Sequence, residues 1–160
     1  MRQSKKYKSL AQLNLVVFHA MQDMIVNDLE PYLKRRLQDK IEEIVYESYT
    51  PRVYQRRGEY GGLKDMRLME SVTLNSAPMG GILQRLITQK TLLSSPTKGS
   101  NILAPRIQEE EGFAGDPATG MPPRPYLEYL EKEIETNPSG VNNIIRKGFS
   151  RHGITVRIRN

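Results

Sequence analysis

Cysteine is absent from the chain, and so is tryptophan. Without a thiol there is no disulfide framework, no thiolate metal site and no thiol nucleophile. That usage fits a protein assembled inside a cell. Aromatic residues are few, with three phenylalanines and eight tyrosines among 160 residues. The core that they can build is modest, while ten prolines and twelve glycines favour loop over regular element. A loop-rich, core-poor chain gains stability by associating. No apolar stretch approaches the roughly 20 residues of a membrane span, and no signal-peptide core follows the basic start. The expected protein is neither secreted nor membrane-embedded.

The net charge of +6 is unevenly placed. Residues 1–8 carry Arg2, Lys5, Lys6 and Lys8 and no acid, and residues 143–160 carry Arg146, Lys147, Arg151, Arg157 and Arg159 and no acid. The body between them is net acidic. Basic ends attract nucleic acid or an acidic protein surface.

Along the chain, residues 9–29 read as a helix capped by Ser9, with apolar positions Leu10, Leu13, Val17, Ala20, Met21, Met24 and Ile25. Asn27–Glu30 reads as a kink or short break, after which Pro31 starts a second helix running to about Tyr49. Gly61–Gly62 marks a turn, and residues 63–75 alternate like a strand. Residues 82–93 suit a strand or a short helix. Residues 94–123 carry little regular signal apart from Ile102, Leu103 and Ile107, and a connection that long is functional or mobile. Pro125 opens a helix over 126–136, and a shorter one over 141–150 ends at Gly153. Residues 154–158 alternate as a closing strand. The expected fold is one α+β domain over residues 1–160. It has a basic tail at 1–8, long N-terminal helices over 9–50, a small antiparallel sheet with long loops at 63–93, and an irregular loop or arm at 94–123. C-terminal helices and a final strand fill 124–160.

Catalytic patterns are missing. His19 and His152 are far apart, and a His19–Asp23 pair on one helix face supplies too few ligands for a metal. Residues 58–62 are glycine-rich but lack the lysine and the strand–loop–helix frame of a phosphate loop. Glu42 and Glu43 point to different helix faces. No catalytic, metal or cofactor-binding residue is assigned, and the chain reads as a non-enzyme.

Two segments carry interface chemistry. The stretch from Tyr46 to Asp65 contains Tyr49, Arg52, Tyr54, Arg56, Arg57 and Tyr60. Arginine stacks on tyrosine and makes planar bonds to carboxylate or phosphate, and both residue types are enriched in protein interfaces. The same arginines also suit packing on the chain's own tyrosines. The second segment, Met121-Pro-Pro-Arg-Pro-Tyr-Leu127, places Arg124 and Tyr126 at a proline-stiffened helix start, and an ordinary helix start accounts for it equally well. Glu109, Glu110, Glu111 and Phe113, in the acidic part of 94–123, are read as an arm reaching a neighbouring subunit.

The run Val45-Tyr-Glu-Ser-Tyr-Thr-Pro-Arg-Val-Tyr-Gln-Arg-Arg-Gly-Glu-Tyr-Gly-Gly-Leu-Lys-Asp65, followed by Arg124-Pro-Tyr-Leu127, resembles small virion proteins of the tailed-bacteriophage neck, the head–tail connector and tail-completion family. The resemblance spans about residues 33–158, without the first helix, and Tyr126 replaces the usual phenylalanine. It implies a structural protein of the head–tail junction, of neck, tail-completion or tail-terminator type. Such a protein forms a homo-oligomeric ring that joins head connector to tail and lets DNA pass. It would meet other neck, connector and tail proteins, be assembled in the host cytoplasm, reside in the virion and need no cofactor. The alternative is a nucleic-acid-binding module using the basic ends and Arg52–Arg57. If the arginine–tyrosine stretch is an interface, reversing Arg56 and Arg57 to Glu blocks particle assembly while circular dichroism stays that of the wild type.

Overall fold

The computed structural model describes residues 9–47, 62–78, 82–90 and 123–158. Helix α1 spans Leu10–Met24 and starts at Ser9, whose Oγ accepts the Gln12 N–H at 3.2 Å. This satisfies one of the donors that every helix start leaves open. Of the kink or short break expected at Asn27–Glu30, no break forms. The backbone continues through a π-helical turn, Ile25–Leu29, into α2, Glu30–Ile41. The Glu30 N–H closes that wide turn on the Ile25 carbonyl. The wider spacing relieves the clash between the Pro31 ring and the preceding turn, so the proline lies inside a continuing helix. A second π turn, Glu42–Tyr46, ends with the Glu47 N–H on the Glu42 carbonyl at 2.8 Å.

Residues 63–68 are not strand, contrary to their alternation. They form a turn and a short 3-10 helix, Met66–Leu68. Asp65 causes this. Its Oδ1 accepts the Arg67 N–H at 3.0 Å and its carbonyl accepts the Leu68 N–H at 3.0 Å. A carboxylate that satisfies its neighbours' amides competes with a sheet ladder.

Strand β1 is Met69–Ala77 and β2 is Ile82–Gln89, which settles the second apolar run as a strand. They form a two-stranded antiparallel sheet. The Lys90 N–H donates to the Leu68 carbonyl at 2.9 Å, aligning those two positions. In that register Val72 faces Leu86 across the sheet and Thr73 faces Arg85.

Helix α3, Tyr126–Thr136, has the expected bounds, and α4, Ser139–Arg151, starts two residues before the expected Val141. Helix α4 closes on Gly153, whose φ is 75°. The Gly153 N–H donates to Ser150 and the Ile154 N–H to Phe149, the two bonds of a Schellman ending. Residues 154–158 do not form the expected strand. Their burial alternates, with Ile154, Val156 and Ile158 half-buried, but the sheet has no third strand among the described residues. Alternation secures a half-buried face; a strand also needs a backbone partner. The α+β class, the long N-terminal helices, the small antiparallel sheet and the C-terminal helices are all present.

The chain divides into two compact units interleaved in sequence. One unit comprises Met1–Pro31, Ser71–Leu86 and Ser139–Asn160. In it α1 packs on α4, with Phe18, Ala20, Met24 and Gly148 buried. The other comprises Tyr32–Glu70 and Ile87–Pro138. Its core is Leu37, Ile41, Val45, Leu63, Met69, Tyr126 and Leu130, with Ile41 and Tyr126 fully enclosed.

Gly148 on α4 sits against Met24 of α1. A Cβ there would lie 2.2 Å from Met24 Cγ and 2.6 Å from Met24 Cβ. The Met24 Cβ is fixed to its backbone and cannot rotate away. Alanine is the better helix former by about 1 kcal/mol, yet overpacking costs about 1–3 kcal/mol. We therefore expect Gly148→Ala to lower stability by up to about 2 kcal/mol, read as a lower urea midpoint at unchanged slope.

Candidate assembly interface

The structure draws the Arg-Pro-Tyr-Leu segment inward. Tyr126, expected on an interface, is completely buried among Leu37, Ile41, Val45, Leu63, Met69 and Leu130 of its own chain. An aromatic ring that packs at the start of α3 is spent on folding. Arg124 Nη1 donates to the Val45 carbonyl at 3.1 Å and so serves one of the carbonyls near the end of the long helical run. Tyr49, Arg52, Tyr54, Arg56, Arg57 and Tyr60 lie outside the described residues, as do Glu109, Glu110, Glu111 and Phe113 of the expected arm.

What the structure does present is one face of the hairpin. Within the first unit, Arg85 on β2 donates through Nε to the carboxylate of Glu30, and through Nη1 to Thr73 Oγ1 at 2.7 Å. Glu30 is buried and Arg85 largely so. Burying a carboxylate requires a matched cation, and Arg85 supplies it. Within the second unit, Ile87 packs against the core and Gln89 Nε2 donates to the Leu63 carbonyl. Arg85, Ile87 and Gln89 share a face because strand side chains alternate. Val72, Leu74 and Leu86 lie on the opposite face, 45%, 63% and 44% exposed. Single exposed apolar residues are ordinary, but three adjoining ones on a two-stranded sheet form a surface suited to a partner. Sequence alternation placed β1 without showing which of its faces would be bare.

Ionic contacts join elements within each unit. In the second unit Glu133 on α3 receives Arg36 Nη2 and, at 2.8 Å, Lys40 Nζ. The hydrogen bonds from Lys40 and then Arg36 hold the Glu133 carboxyl below its ordinary range, and its bonds raise both bases. Lys64 Nζ meets Glu42 at 2.7 Å and stands 5.5 Å from the Tyr46 ring. The Tyr46 hydroxyl accepts the Leu63 N–H at 3.1 Å, and burial raises its pKa. In the first unit Asp23 and Asp28 share Arg151, and Asp23 Oδ2 lies 2.8 Å from His152 Nε2. The bond to His152, then those from Asn27 and Arg151, lowers the Asp23 pKa, while the two aspartates raise that of Arg151. The His19–Asp23 spacing is thus not the pair that forms; Asp23 turns to α4 and its end. His19 is instead edge-on to Phe18, with ring centroids 6.2 Å apart. No group of three potential ligands stands ready for a metal among the described residues. None of the helices described there is long and apolar enough to cross a membrane. These charges act as clasps between helices.

The YomN family model matches residues 9–151. The chain belongs to the YomN family. The family is phage-associated. Its match runs from the Ser9 cap to the last residue of α4, so the first helix, absent from the resemblance noted above, is part of the YomN pattern. No curated protein and no solved structure matches the chain.

Glu133 offers a direct test of the clasps of this YomN chain. Its folded-state pKa is depressed, so its contribution is fully present above the unfolded carboxylate range and disappears as pH falls through the folded value. Its side chain is 34% exposed, so solvent screening keeps the effect small. We expect Glu133→Gln to cost about 1 kcal/mol at neutral pH and to flatten the acid limb of stability against pH, both read by urea unfolding between neutral pH and pH values below the carboxylate range.

Proposed function

We propose that this chain is a non-catalytic structural protein of a phage particle, working by association with copies of itself and with neighbouring particle proteins. The observation that carries this reading is the bare apolar face of the hairpin, Val72, Leu74 and Leu86, on a member of a phage-associated family. A two-stranded sheet has little stability of its own and two open edges, so a partner that covers it stabilises both. The further reading is a ring at the head–tail junction. The motifs Val45–Asp65 and Arg124–Leu127 support it by their resemblance to neck, connector and tail-completion proteins. A ring follows when one heterologous contact repeats and closes, and the basic residues near the chain ends suit contact with DNA or with an acidic neighbour.

Replacing exposed Val72 and Leu74 by serine should change monomer stability by about 0.5 kcal/mol or less. Native mass measurement should therefore find a discrete wild-type oligomer unaffected by nuclease and a smaller species for Val72→Ser/Leu74→Ser. A species that nuclease dissolves would instead favour the nucleic-acid-binding module.

A further inference from the structure

Helices α3 and α4 carry opposite surface charge. On α3, Leu127, Leu130, Glu131, Ile134 and Glu135 line a shallow groove whose floor is apolar and whose rim is acidic. On α4, Arg146, Lys147, Ser150 and Arg151 line a basic one. The ion pairs of these helices among the described residues use Glu133 and Arg151. Glu131, Glu135, Arg146 and Lys147 are left facing outward. Leu127 is 49% exposed, an apolar surface beside two unspent carboxylates.

We propose that the groove on α3 of one copy receives the basic face of α4 of the next, with Glu131 and Glu135 opposite Arg146 and Lys147. The proposal rests on the assembly reading above and names its contact. A second copy is the occupant because one chain carries both halves of a complementary pair. The aliphatic stems of Arg146 and Lys147 can lie along Leu127 and Ile134 while their charged heads reach the carboxylates. A contact of α3 with a second α3 would set acid against acid, so α3 pairs with α4, and in the proposed ring each pairing runs head-to-tail. Head-to-tail contacts repeat from copy to copy and give rings when they close.

The test uses two full-length variants, Glu131→Lys/Glu135→Lys and Arg146→Glu/Lys147→Glu, in sedimentation velocity beside circular dichroism. Each alone opposes like charges at every contact. Each should lose the oligomer, with association weakened roughly tenfold or more. In an equimolar mixture, copies of the two variants that alternate set opposite charges at every contact, and the mixture should reassemble. Should a reversed variant lose helix, the Glu131→Gln/Glu135→Gln variant carries the test, with weaker association and less dependence on salt than wild type. Wild-type oligomers from either reversed variant alone, or a mixture that stays monomeric, would overturn this contact and leave the assembly reading standing. Loss of DNA binding by the Arg146/Lys147 variant with its oligomer unchanged would also overturn it. A wild-type protein that is monomeric at every concentration would remove both.

Discussion

The structure depends on how the backbone carries a helix past Pro31. Inside an α-helix a proline removes one hydrogen bond and drives its ring into the preceding turn, at a cost of about 3 kcal/mol. Here the turn before it is wide, closed by the Glu30 N–H on the Ile25 carbonyl. Helical backbone therefore runs without interruption from Leu10 to Tyr46. The same run supplies Phe18, Ala20 and Met24 to one unit and Leu37, Ile41 and Val45 to the other. Continuity also fixes Glu30, which stands at the first position of α2 and meets Arg85 of the hairpin. A break at Asn27–Glu30 would leave that buried carboxylate without its fixed position and Arg85 without its acceptor.

The ionic contacts are best understood as devices of position. Surface ion pairs contribute about 0–1 kcal/mol each, far less than the apolar cores. Their value lies in geometry. Glu133 meets two cations one helical turn apart, Arg36 and Lys40, and so sets the rotation of α3 against α2 within the second unit. Arg151 spans Asp23 and Asp28 and does the same for α4 against α1 and its π turn. The Glu30–Arg85 pair differs in being buried. Removing either partner would strand the other's charge, so the pair specifies where the hairpin attaches more than it adds to stability.

Elements bounded by strong local chemistry were legible in the sequence. Ser9 opens α1 and Gly153 ends α4 as their residue types require, and Pro125 and Pro138 bracket α3. Elements decided by nonlocal contacts were not. Alternation over 63–68 lost to the Asp65 carboxylate, and alternation over 154–158 found no backbone partner. Tyr126 beside Arg124 has interface composition, but composition does not distinguish a ring buried at home from one offered to a neighbour. Nothing in the local sequence marks Gly148, because only the approach of Met24 gives it meaning. Asp23 was matched with the nearest histidine in sequence, whereas its partners come from the end of α4. The hairpin's bare face was unreadable for a related reason: which face is covered depends on where Arg85 and Ile87 attach.

Charge sets the remaining condition on assembly. Each copy adds +6, so copies brought together repel unless opposite charge intervenes. Acids on α3 can offset bases on α4 locally, while residues 1–8 and 157–159 add further basic charge. Those ends carry no acidic residue of their own. Repulsion among them grows with the number of copies, while each added copy brings only a fixed set of new contacts. In the proposed assembly, an acidic surface, whether the phosphates of DNA or the carboxylates of a neighbouring protein, would offset that repulsion. In the proposed assembly the hairpin face would supply apolar burial and the α3–α4 pairing would supply charge matching between copies, while the basic ends would call for an acidic partner.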